Sequence, residues 1–154
     1  MNSQYAVNIV RMSRDRIRVV GRSLALAGAA LALAGCNGGT VDRHALKRDA
    51  EGLASVATEG YLLANDVSKG ASTKYFARVH AKELSDEASH LEDALSERPT
   101  VSGIEQDVRK LSHLAGKVAA TLEQLHLHPT DRAVAERLKD PLQSLSDDAD
   151  QLAK

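Results

Sequence analysis

Two Glu-x-x-His pairs, Glu87-Ala88-Ser89-His90 and Glu123-Gln124-Leu125-His126, come nearest in this chain to a metal-binding spacing. A Glu and a His one helical turn apart, both pointing inward and repeated on facing helices, can hold a pair of iron or manganese ions in a bundle core. At 100° per residue, Glu87 lies about 60° from the apolar centre of its helix and His90 about 120° away; for Glu123 and His126 the offsets are about 120° and 60°. One member of each pair therefore faces solvent, and no inward Glu on the other stretches completes a set. A second group gathers where His126-Leu127-His128-Pro129 ends a helical stretch, with Asp131 close behind and His80 towards the same end. Imidazole and carboxylate together suit a divalent metal. His80, however, sits roughly 7 Å lower along the axis than His126 by helical rise. His80, His126, His128 and Asp131 are therefore kept as candidate ligands, but no metal is expected, and cap or surface roles account for them. His44 and His113 read as exposed.

Other chemistries find no constellation. No methionine follows Met12, which rules out Met/His haem ligation downstream and leaves only a bis-His arrangement formally open. The serines lack a G-x-S-x-G context, and no glycine-rich phosphate loop follows a strand. The acidic run Asp147-Asp148-Ala149-Asp150 reads as a solvated face. No catalytic residue and no cofactor are expected.

The elements that carry these residues are helical. Gly70 with Ser72, Pro99 with Thr100, and Pro129 with Thr130 divide residues 41 to 153 into four stretches of about 24 to 28 residues, each divider pairing a helix stopper with a capping type. Val101, Ile104, Val108, Leu111, Ala115, Val118, Leu122 and Leu125 recur at spacings of three and four, which predicts one buried stripe. Ala77, Ala81, Leu84, Ala88, Leu91 and Leu95 do the same in the second stretch. Leu46, Ala50, Leu53, Ala57, Gly60, Ala64 and Val67 form the first stripe, whose small residues predict close approach of a neighbouring helix. Val134, Leu138, Leu142, Leu145, Ala149 and Leu152 form the fourth. Equal lengths and short turns predict an all-α fold, an antiparallel up-and-down four-helix bundle. Pro141 predicts a kink or break in the fourth helix. Ser102-Gly103-Ile104-Glu105 reads as a capping box that starts the third helix near residue 102.

The first 35 residues are of another kind. Arg11, Arg14, Arg16, Arg18 and Arg22 stand against a single acid, Asp15, and Leu24 to Gly35 is built only from Leu, Ala and Gly. A basic segment, an apolar run and a small-residue cleavage zone describe a secretory signal peptide. The run falls short of the roughly 20 apolar residues that span a bilayer. Either Met1 or Met12 serves as the start.

Leu33-Ala34-Gly35-Cys36 resembles the lipobox of bacterial lipoproteins, and Cys36 is the only cysteine. The resemblance covers the signal peptide and the first mature residue. It implies a diacylglyceryl group on the Cys36 thiol, cleavage before it, and stable anchoring by two or more acyl chains. It also implies a cell-envelope location, with Asn37 in place of an aspartate favouring the outer membrane, facing the periplasm. A single anchored thiol leaves no disulfide and no CxxC metal site. The resulting organisation is 1–35 signal peptide, 36–40 lipidated cysteine and tether (roughly 14 Å beyond Cys36 when extended), and 41–154 bundle domain.

Removing residues 1–35 leaves 15 basic and 20 acidic residues, a formal −5. With no basic patch, and only Tyr61, Tyr75 and Phe76 as aromatics, nucleic acid is not an expected partner. The expected function is that of a lipid-anchored, non-enzymatic envelope protein whose bundle binds a protein partner or serves a structural role. The competing expectation is a metal- or small-ligand-binding lipoprotein that uses the histidines at the tip.

Overall fold

A computed structural model describes residues 39–154. The expected signal peptide, 1–35, and the lipobox-like residues up to Cys36 lie outside the described residues. Four helices make up the rest: α1 Arg43–Lys69, α2 Lys74–Glu97, α3 Glu105–Leu127 and α4 Arg132–Leu152. Among the described residues there is no strand, only an isolated parallel bridge between Val41 and Thr100. No helix among them is long and apolar enough to cross a membrane.

Local chemistry sets the boundaries. Asp42 starts α1 by accepting from the Ala45 N–H at 2.7 Å. Gly70 ends it in the left-handed region at φ 69°, where its N–H reaches Val67 O and the Ala71 N–H reaches Asp66 O. Thr73, one residue beyond the expected Ser72, caps α2 through the Phe76 N–H. Arg98 is extended, as the residue before a proline must be, and α2 stops there. Asp131 caps α4 by accepting from both Ala133 and Val134 N–H at 3.0 Å.

The expected capping box does not form. α3 begins at Glu105, its N-cap Ile104 makes no side-chain cap bond, and Glu105 Oε2 instead accepts from the Gly103 N–H at 2.8 Å. The cause is upstream. Val101 N–H donates to Val41 O, and Gly103 turns at φ 98°, so residues 100–103 form a loop rather than a first turn. Val101 thereby leaves the core stripe on which its spacing placed it and is 45% exposed.

α4 passes through Pro141 as one element. The proline has no N–H to give the carbonyl of Arg137, four residues back, but both residues are exposed and water can take that acceptor.

The core follows the four stripes. Leu53, Leu111, Leu122, Leu125 and Leu142 are its largest fully enclosed side chains. Helices do not pack equally: α1 lies closest to α4, and α2 closest to α3. Ala50, Ala57, Gly60 and Ala64 of α1, with Ala135 and Ala149 of α4, allow one close approach; Ala77, Ala81 and Ala88 with Ala115 and Ala119 allow the other. Each close pair is crossed by one buried hydroxyl. Ser146 Oγ donates to Ala54 O, and Ser85 Oγ donates to Ala119 O, both at 3.0 Å. Thr58 Oγ1 adds to the first crossing, 2.8 Å from Ser146 Oγ. Lys47 Nζ, near the start of α1, reaches Ala153 O just past α4, while Gly70 at the end of α1 packs against the Arg132 guanidinium at the start of α4.

Candidate functional site

The candidate ligands are dispersed over two helices and the turn between α3 and α4. His126 Nδ1 donates to Arg78 O at 2.9 Å, which fixes the last turn of α3 to α2 and leaves Nε2 as the ring's acceptor when neutral. His128 is exposed just past α3, and its N–H bonds to Gln124 O. Asp131 is occupied as the α4 cap. Its carboxyl is held below the usual carboxylate range, first by the Val134 N–H, with the Ala133 N–H and nearby His128 and Arg137 adding to the effect. His80 lies elsewhere, in the groove between α1 and α2. Among the described residues, no three His, Cys, Asp or Glu side chains come together in a metal-holding group.

The surroundings of His80 were not foreseen. Its Nε2 is 2.9 Å from Glu59 Oε1 on α1, and its Nδ1 is 3.6 Å from Glu83 Oε2 one turn along α2. The Phe76 ring sits beside it, with centroids 5.2 Å apart and planes tilted by 32°. Glu87 is next along this face. Burial pushes its carboxyl above the usual range, and the negative charge of Glu59 pushes it further. No sequence spacing signals the Glu59–His80 contact, because the two residues are on different helices. Of the two Glu-x-x-His pairs, Glu87 is half-buried and His90 exposed, while Glu123 and His126 are both half-buried on α3.

At the loop end of α2 and α3, a shallow groove of about 540 Å³ is lined by Glu92, Arg98, Glu105, Arg109 and His113 among others. Its charges are of both signs and none is deeply enclosed. Beside it, the segment entering α1 is stitched to the α2–α3 loop: Val41 N–H donates to Pro99 O at 2.8 Å, Val41 O accepts from Val101 N–H at 3.0 Å, and Arg98 Nε donates to Gly39 O at 3.2 Å. Arg98 also lies 3.5 Å from Asp49, whose carboxyl is raised by burial against the opposing pull of Arg98 and Arg48.

Large exposed apolar side chains are unevenly placed. Among the described residues they are Leu62, Tyr75, Phe76, Val79, Val101 and Leu127. All but Val101 belong to the second half of α1, the first half of α2 or the last residue of α3, where the α1–α2 turn meets the end of α3. Tyr75, at 79% exposed, is the most prominent.

The chain matches no family model, no curated protein and no solved structure.

Proposed function

We propose that this protein is a bacterial lipoprotein held in the cell envelope by acyl chains on Cys36, and that its helical domain acts without catalysis, by binding another protein. In this reading residues 1–35 are removed on export, and Cys36 becomes the first mature residue. The outer membrane, facing the periplasm, is the favoured location. The domain is an antiparallel up-and-down bundle with α4 bent at Pro141. The contacts of Lys47 with Ala153 and of Gly70 with Arg132 support that topology for α1 and α4. Those of His126 with Arg78 and of Ser85 with Ala119 support it for α2 and α3.

The observation that carries the binding role is the clustering of Leu62, Tyr75, Phe76, Val79 and Leu127 away from the segment by which the chain enters α1. Isolated exposed apolar residues need no explanation, whereas their concentration in one half of the domain supports an interaction surface there. Aromatic side chains are the usual anchors of such surfaces.

The test has two arms. Cys36→Ser should move the protein from the membrane to the soluble fraction with its helicity intact; retention on membranes at high salt would refute the anchor. A photo-crosslinking amino acid at Tyr75 should give a discrete adduct in cells that a crosslinker at His44 does not. Equal adducts from both positions, or none from Tyr75, would refute the binding tip.

A further inference from the structure

We propose that the α2–α3 loop, Pro99–Gly103, is a second membrane contact, with Val101 seated in the bilayer interface. The inference rests on the anchor reading above and adds to it the face on which the domain stands.

The argument starts from the tether. Residues 36 to 40 would give the domain freedom if they hung loose, but the chain is captured before α1 begins. Gly39 O accepts from Arg98 Nε, and Val41, fully buried, is bonded through both its N–H and its carbonyl to residues 99 and 101. Only Asn37 and Gly38 separate Cys36 from the first captured residue. Three Cα–Cα steps of 3.8 Å span roughly 11 Å at full extension. A lipidated Cys36 sits at the membrane surface, so this tether brings the loop bonded to Val41 to that surface as well.

The loop's composition suits the location. From Pro99 to Ile104 it carries no charge, and Pro99, Val101, Ser102 and Gly103 are exposed. The nearest following acid, Glu105, is exposed, with its Oε2 accepting from the Gly103 N–H. Val101 is the one large apolar side chain among the described residues that is exposed away from the α1–α2 tip. The same hydrogen bonds that capture the tether turn Val101 out of the core stripe, so the strand-like bridge both shortens the leash and presents the side chain. Apolar burial at the interface adds to an acyl anchor in the same way as further acyl carbon does.

The chain contains no tryptophan, so Val101→Trp and, as a control at the other end, Tyr75→Trp each introduce a single reporter. Full-length lipidated protein would be reconstituted into vesicles of phosphatidylethanolamine and phosphatidylglycerol, with and without brominated acyl chains, and floated. The expected result is that both variants float, that indole emission from position 101 shifts to the blue and is quenched severalfold by the brominated lipid, and that emission from position 75 does neither. Floating protein whose position-101 emission is unquenched would overturn this proposal while leaving the anchor intact. Protein that fails to float would overturn the anchor, and this proposal with it. A blue shift already present in soluble Cys36→Ser/Val101→Trp protein would mean that a second chain covers the loop, and would also overturn the proposal. Hydrogen exchange on the unsubstituted protein removes any bias from the indole. Amides of residues 102 and 103 should exchange severalfold more slowly on vesicles than in the soluble Cys36→Ser form, and equal rates would overturn the membrane contact.

Discussion

Replacing Gly60 with alanine sets helix propensity against packing, and the structure says which wins. An alanine is favoured over glycine in a helix interior by about 1 kcal/mol. At Gly60, however, an added Cβ would lie 2.5 Å from Leu122 Cδ2 and 3.4 Å from Leu142 Cδ2. Both leucines are 0% exposed, so neither can swing into solvent. Forcing a methyl group into a filled core costs about 1–3 kcal/mol. Gly116, inside α3, provides the control. The atoms nearest to an added Cβ there belong to the Glu92 carboxylate, at 2.7 and 2.8 Å, the far end of a flexible, half-exposed side chain. Gly116→Ala should therefore keep most of its propensity gain. Because the two substitutions share that gain, their difference isolates the packing term, about 1–3 kcal/mol in favour of Gly116→Ala. At about 4 °C per kcal/mol for a domain of this size, the gap in melting temperature is about 4–12 °C. Circular dichroism at 222 nm on residues 39–154, checked by urea unfolding, measures it. A Gly60→Ala variant that melts with or above Gly116→Ala would show that α1 does not approach α3 and α4 as closely as described.

The two buried serines should behave as separate crosslinks. Ser85→Ala and Ser146→Ala are each expected to cost about 1 kcal/mol, and the double variant about the sum, since they join different helix pairs; urea midpoints that show strong coupling would refute that separation. Asp49→Asn should raise the urea midpoint at pH 7, with the advantage closing as pH falls towards about 3, below the ordinary carboxylate range. The sign follows from burial: a carboxyl whose folded pKa is raised contributes stability when protonated and loses it as pH rises through that pKa. A gap that widens on acidification would mean that the Arg98 pairing, not burial, governs Asp49.

Most of the core was legible because burial on a helix depends on spacing, and the spacing was unbroken. The stripes from Leu46 to Val67, from Ala77 to Ala88 and from Ile104 to Leu125 lie inward as the pattern requires. Leu91, Val134 and Leu152 of the stripes are only half-buried, packed against the core; two larger exceptions share a cause. Val101 fits the stripe, yet a backbone bond to Val41, far back in the chain, removes it, and periodicity carries no information about such a partner. The capping box fails for the same reason, since the loop held by that bond delays the start of α3 to Glu105, whose carboxylate accepts from the Gly103 N–H. Ser85 and Ser146 look like surface polar residues in the sequence; they are buried because alanines on the facing helix bring a backbone carbonyl within reach. At the candidate site the histidines were plain to see but their neighbours were not. The Glu59–His80 contact is set by the relative rotation of α1 and α2, which no single helix encodes.

The pairing of α1 with α4 bears on the order in which the domain is completed. α2 and α3 are neighbours in sequence and meet across a short loop, so their hairpin closes locally and early. α1 is made first, yet its closest partner is made last, and until α4 arrives its alanine face and the Ala54 carbonyl lack their main packing partner. The domain is therefore expected to ripen from the middle outward, with the first helix waiting on the fourth. A chain ending at Leu127 should retain slow-exchanging amides in α2 and α3 while those of α1 exchange freely; protection of α1 in that shortened chain would show that it finds its place without α4.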